Sequence, residues 1–412
     1  MKNLERTILV LLALLTVSGC TKDNLDEENT QFPSERAWYS IVSTDTINSG
    51  QLLKSMSGSQ FSSIKEIALL PSIVQTTFKY HSVNGTDTLT LSGTVCWPIG
   101  LENCSNVVLE NHYFCTRWDE CPSQTPQAGM LLYSYYRFIL VAADYQGLGL
   151  SRDLPYPYLN TVLLARQSID CFKAAISLLR DMGSKLTDDY NTYNIGYSLG
   201  GAVTMAIARQ VELEPGLQDI MHVRKSFCGG GPYDQKALFM HFLKNPDKEL
   251  NFPIEFPCAL MSMYMSYQSG LKQFKYSDLF SKRLLDSGIL EALETKEYTT
   301  GQICSLMEKA GCTTLNTILS AQIFDQESDV YKAVINEVNK LDLTVGWTPK
   351  LPIYFRHSKE DTYVPIACLE SVLTNMADNP NITYDINEHG THQENGLNFY
   401  INLLYGLKDL KE

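Results

Sequence analysis

The sequence predicts an α/β protein: a mostly parallel central sheet flanked by helices, with a helical cap inserted before its last strands. Three observations carry this. Apolar runs alternate with amphipathic helical stretches from residue 106 to about 230. An antiparallel hairpin precedes them. Residues 235–346 then lose the strand pattern, which returns between 350 and 388.

The hairpin is "TTFKYHSV" and "TLTLSGTVCWP", with Asn84-Gly85 at the turn and alternation on both arms. Residues 34–70 before it show broken apolar patterns that read as short helices without functional content. "NVVLENHYF" at 106–114 and "RFILVAADY" at 137–145 are the next strands, separated by a Cys-, Pro- and Gln-rich loop and a short helical stretch around "GMLLYSYY". From 161 to 182 the period becomes helical. Ile169, Phe172, Ile176 and Leu179 share a face that Arg166, Asp170, Lys173 and Arg180 largely avoid, and Gly183 suits the exit. "YNTYNIGYS" is a strand, "LGGAVTMAIARQVE" a helix with Leu199, Val203, Ala206 and Ile207 toward the sheet, and "MHVRKSFCGG" a further strand.

Helical pieces fill 235–346, for instance around "SDLFSKRLLDSGILEALET" and "SDVYKAVINEVNKLD". Strands follow at "KLPIYFRHS" and "NITYDINE", and "ENGLNFYINLLYGLKDL" is a closing helix. The organisation expected is a core of 34–234 and 347–412 interrupted by a cap at 235–346. No internal repeat is visible.

Composition narrows the function classes. The 412 residues are 44% hydrophobic and 19% charged, ordinary for a folded chain. Acidic residues outnumber basic ones 46 to 33, a formal charge of −13, and no Lys/Arg cluster suits nucleic acid. The first 20 residues read as a signal peptide: a basic start, an apolar run from Ile8 to Leu15, then "VSGC". That ending resembles a bacterial lipobox, with Cys20 the lipidated residue. Residues 21–33 form an acidic linker resembling the signal that sends lipoproteins to the outer face of Bacteroidetes cells. The expected location is therefore the outer membrane and cell surface of a Gram-negative bacterium, held by acyl chains. In an exported protein the close pairs Cys96/Cys104, Cys115/Cys121 and Cys304/Cys312 are disulfide candidates.

The chemistry centres on Gly196-Tyr197-Ser198-Leu199-Gly200, a G-x-S-x-G sequence between a strand and an amphipathic helix. A sharp turn there pushes the serine out at the carboxyl end of the sheet, and small flanking residues permit the close approach. Serine needs a base and an acid to orient it. Among seven histidines, His389 and His392 follow the last strand. His392, at the mouth of the final helix, is the favoured base and His389 the alternative. Asp361, in the loop leaving "IYFRHS", is the favoured acid, with Glu360 beside it. The order Ser198, Asp361, His392 suits this architecture. The oxyanion hole calls for backbone N–H groups from Leu199 and from the loop after "VVLENHYF", with Tyr113 the first choice and Phe114 the second. His112 is read as shaping that loop and Asp144 as organising its own. No cofactor or metal is required.

With "AADYQGLGLS", "YPYLNTVLLARQSIDCFKAA", "GYSLGG", "GGGPYD" and "HSKEDTYVP", the chain resembles α/β-hydrolases, and among them the secretory lipase family and bacterial lipase-like lipoproteins. The resemblance spans most of 75–232 and 350–400. It implies a serine hydrolase acting on a small-molecule or lipid ester through Ser198, Asp361 and His392. The chain departs from the family at Leu199, where Gln is frequent, at His112-Tyr113, where a His-Gly step is usual, and at Ser358, where Gly is common. A serine peptidase of the same fold, a carbohydrate acetyl or aryl esterase, and a catalytically silent surface binding protein remain as alternatives.

Overall fold

A computed structural model of the chain describes residues 37–48, 50–51, 72–101, 103–125, 133–134, 137–183 and 186–408. The signal peptide, Cys20 and the acidic linker lie outside the described residues, as does most of the stretch around "GMLLYSYY".

Among the described residues, nine strands form one sheet in the order β1-β2-β3-β5-β4-β6-β7-β8-β9. They are β1 (Tyr39–Ile47), β2 (Ile73–Asn84), β3 (Asp87–Pro98), β4 (Cys104–Asn111), β5 (Ile139–Ala143), β6 (Leu186–Tyr197), β7 (Val223–Gly229), β8 (Ile353–Ser358) and β9 (Ile382–Asn387). The β1-β2, β2-β3 and β3-β5 pairs are antiparallel, and every pair from β5 to β9 is parallel. Gly85, with φ of 63°, supplies the left-handed residue that the tight β2-β3 connection requires.

The central strands read as continuous apolar runs because both faces are covered. On β4, Val107 and Leu109 join one core while Val108 joins the other; on β5, Ile139 and Val141 divide in the same way from Leu140. The first core packs under helices α1 (Thr161–Asp181) and α2 (Leu199–Leu213). Phe399, Leu403 and Leu404 of the final helix cover the opposite face. Asn160 caps α1 by accepting from the Leu163 N–H, and Gly183 with φ of 64° ends it, as its sequence position suggests.

Between β7 and β8 run helices α3 (Gln235–Leu243), α4 (Glu255–Met265), α5 (Thr300–Ala310) and α6 (Asp329–Lys340), with shorter turns among them. Two elements follow: α7 (Ala367–Asn375) after β8, and α8 (His392–Lys408) after β9. No helix among the described residues is long and apolar enough to cross a membrane.

Two expectations are corrected. Residues 39–47 form an edge strand, where broken patterning suggests short helices. Ile41 and Val42 are exposed, and the β1-β2 register shifts between Ile41 and Ser43, so no single buried face imposes alternation. The stretch 277–295 is helical, as the sequence suggests, in three short pieces, Tyr276–Leu279, Lys282–Leu285 and Ile289–Thr295. Ser281 caps the second through the Leu284 N–H, and Gly288 with φ of 74° opens the third. Finally, Cys96, Cys115, Cys121, Cys304 and Cys312 are thiols, so none of the proposed pairs is a disulfide. Burial pushes the Cys96 thiol up to about 12, which keeps it protonated and unreactive.

Candidate active site

Ser198 stands between the end of β6 and the start of α2, with φ of 60° and ψ of −130°. A non-glycine residue holds such a backbone only where its surroundings enforce it. Here the Ser198 N–H donates to the Gly229 carbonyl at 2.9 Å. The neighbouring glycines are required by contact rather than by φ. A side chain added at Gly200 would run into the Asn111 carbonyl oxygen, and one at Gly196 into the Gly200 carbonyl. The end of β4, the elbow and α2 therefore press together with no room for a methyl group.

A continuous line of hydrogen bonds leads away from Ser198. Its Oγ is 2.8 Å from His392 Nε2, and His392 Nδ1 is 2.6 Å from Asp361 Oδ2. With Nδ1–H given to the carboxylate, Nε2 is left to accept the serine proton. Asp361 is buried, and its Oδ1 accepts from the Tyr363 and Val364 N–H groups, each at 2.9 Å. These bonds fix the orientation of the carboxylate and leave its other oxygen for the imidazole.

Four side chains without an assigned role in the sequence hold this line. The Tyr197 hydroxyl donates to the His392 carbonyl at 2.8 Å. Tyr363 stacks on the His392 ring at 5.3 Å, and Phe252, from the segment before α4, stacks on Tyr363 at 4.6 Å. His357 donates through Nε2 to the Val364 carbonyl at 2.8 Å and lies 3.9 Å from Asp361. Burial lowers the His357 pKa, so the ring stays neutral beneath the acid. Tyr197 occupies the variable position of G-x-S-x-G, and His357 and Tyr363 flank Asp361; proximity to the motif was the available signal.

The alternative acid and base find each other instead. His389 Nδ1 is 2.9 Å from Glu360 Oε1, and Glu360 Oε2 accepts the Gly390 N–H at 3.1 Å; both side chains are solvent-exposed. Each shifts the other in the expected direction, raising the His389 pKa and lowering that of Glu360. Asp144 is fully buried and takes hydrogen bonds from Ser92 at 2.5 Å and from the Ser123 N–H and hydroxyl at 2.8 and 2.6 Å, a loop organiser's role. His112 stacks on Tyr145 at 4.0 Å, with its nitrogens toward the Tyr113 and Asp144 carbonyls at 2.8 and 3.3 Å.

Leu199 opens α2, so its N–H has no acceptor within the helix. Tyr113 and Phe114 follow the Asn111-His112 backbone that abuts Gly200, and both line the cavity at Ser198. That cavity measures about 650 Å³. Tyr197, Leu199, Tyr363, His392 and Tyr400 line it from the sheet side, while Phe252, Glu255, Thr299 and Thr300 come from the helical segment between β7 and β8. Its volume and its largely apolar, partly aromatic wall fit a small organic ligand.

No protein-family model matches the chain, and no curated protein matches it significantly. Solved structures do. The rice cell wall degrading esterase LipA from Xanthomonas oryzae is similar over 90% of this chain and 97% of its own, with a TM-score of 0.68 and 16% identity. A putative hydrolase from Legionella pneumophila matches over 90% and 98% at TM-score 0.73 and 16% identity. Candida antarctica lipase A in its closed state matches over 91% and 83% at TM-score 0.61 and 13% identity. The chain has the α/β-hydrolase fold.

Proposed function

We propose that the protein is a serine hydrolase of carboxylic esters, working through an acyl-enzyme on Ser198. The observation that carries this is the hydrogen-bonded line from Asp361 through His392 to Ser198, at 2.6 and 2.8 Å, opening into the cavity. His392 takes the hydroxyl proton as Ser198 attacks the ester carbonyl, and Asp361 stabilises the imidazolium. The N–H groups of Leu199 and Tyr113 receive the oxyanion of the tetrahedral intermediate. The leaving alcohol takes the proton from His392. Water then repeats the sequence and releases the acid.

The segment 235–346 acts as a cap that walls the acyl site and limits access to it. Structural likeness to proteins described as an esterase and a lipase supports ester over amide. The N-terminal sequence supports an exported lipoprotein fixed to the outer membrane through Cys20, with the enzyme on the cell surface. Replacing Cys20 by Ala should release it from membranes; firm retention would refute the anchor.

Turnover of p-nitrophenyl esters from acetate to palmitate, beside aminoacyl-nitroanilides, tests the reaction. Ester hydrolysis lost in Ser198→Ala supports the proposal, and anilide hydrolysis with inert esters contradicts it.

A further inference from the structure

Glu255 is the one buried acid of the cavity wall that the proposed mechanism does not use. It is 5% exposed, sits at the first position of α4, and lines the same cavity as Ser198 and His392. Its carboxyl has no hydrogen-bond or ion-pair partner among the described residues. The N-terminus of a helix favours an ionised carboxylate by well under about 2 kcal/mol. Burial, aided by the nearby Asp361, outweighs this and pushes Glu255 up to about 8. A buried carboxyl without a protein partner is costly, and a ligand that completes it recovers that cost.

The rest of the wall indicates which ligand. Glu120 is a second acid in the lining, and no Lys or Arg stands among the cavity's described residues. Glu120 accepts the Arg117 N–H at 3.3 Å, while the Arg117 guanidinium is engaged by Asp119. Tyr113, Phe114, Phe252, Tyr363 and Tyr400 add aromatic surface, which attracts cations through ring faces. An anionic or purely aliphatic ligand leaves the Glu255 carboxyl without a partner.

We infer that the cavity selects substrates bearing an ammonium group, seated against the Glu255 carboxyl between the cavity's aromatic side chains. This rests on the ester-hydrolase reading and names its substrate class. Glu255 is a specificity determinant, distinct from the residues that handle the reacting bond.

Two matched pairs test it: butyrylcholine against 3,3-dimethylbutyl butyrate, and p-nitrophenyl 6-aminohexanoate against p-nitrophenyl heptanoate. The first places the charge on the alcohol side and the second on the acyl side. The expected result is a cationic-over-neutral kcat/KM ratio of about tenfold or more in one pair, collapsing toward one in Glu255→Gln, as removal of a desolvated charge partner requires. A ratio near one in both pairs, or one unchanged in Glu255→Gln, overturns the inference while leaving ester hydrolysis standing. Inert neutral and cationic esters alike would instead sink the hydrolase reading. Calorimetry of hexyltrimethylammonium with Ser198→Ala then reads the site without turnover. Binding weakened about tenfold or more in Ser198→Ala/Glu255→Gln supports the cation site, and equal binding or none refutes it.

Discussion

The Tyr197 hydroxyl donates a 2.8 Å hydrogen bond to the carbonyl oxygen of His392, joining the residue before the candidate nucleophile to the backbone of the candidate base. The phenol is buried, and burial raises its pKa, so the hydroxyl stays a donor across the working range. Tyr197→Phe leaves the His392 carbonyl short of a partner inside the fold. Stability should fall by about 1–2 kcal/mol. Ester kcat should drop about tenfold with KM little changed, since the base is misplaced while the cavity wall persists. Thermal melts and steady-state kinetics check both.

Asp361 and Glu360 are neighbours with opposite surroundings, one buried on His392 and the other exposed on His389. Asp361→Asn removes the charge that stabilises the imidazolium and should lower kcat about 10⁴-fold. Glu360→Gln should stay within about threefold, because an exposed ion pair contributes little. Equal losses in the two variants would contradict the assignment of the acid.

Gly200 and Gly406 separate close approach from helix propensity. A methyl at Gly200 meets the Asn111 carbonyl, whereas one at Gly406 meets nothing within 4 Å. Gly200→Ala should destabilise by roughly 3 kcal/mol or more and abolish turnover. Gly406→Ala lies within α8 and should be neutral or stabilise by up to about 1 kcal/mol. Chemical denaturation of both variants reads the difference.

Glu110, on β4 behind the cavity, makes the fold sensitive to pH. Its Oε1 accepts from the Tyr400 hydroxyl at 2.8 Å, its Oε2 is buried without a hydrogen-bond partner, and burial raises its pKa from 4.5 to about 8. The folded state therefore holds this proton more tightly than the unfolded chain. The stability it contributes is full below about 4.5 and is lost as pH rises toward 8, on the order of 1 kcal/mol per pH unit. Glu110→Gln keeps an acceptor for Tyr400 and should flatten that part of the stability profile. An unchanged slope between pH 5 and 8 would contradict it.

Strands with a buried face and helices with one apolar stripe were legible in the sequence, because a period of 2 or 3.6 records which side meets the core. β2, β8, α1 and α8 carry that record, while β4 and β5, buried on both faces, read as continuous apolar runs. β1 does not, since its side chains are exposed and a register shift breaks its alternation. Ser198, Asp361 and His392 were found through G-x-S-x-G and chain order, and the structure brings the three within hydrogen-bonding distance. Glu255 and Phe252 were invisible for a different reason. They reach the cavity only through the folding of the segment between β7 and β8, which no local pattern encodes. His392 was favoured over His389 from its place at the mouth of the final helix, and it meets Ser198 and Asp361 while His389 meets Glu360.

The most direct test of the account is mass spectrometry of the folded protein after exposure to an aryl alkylphosphonate, for the wild type, His389→Ala and His392→Ala. One phosphonyl group on Ser198 is expected in the wild type and in His389→Ala, and essentially none in His392→Ala. Labelling at another residue, or equal labelling of Ser198 in all three proteins, would contradict it.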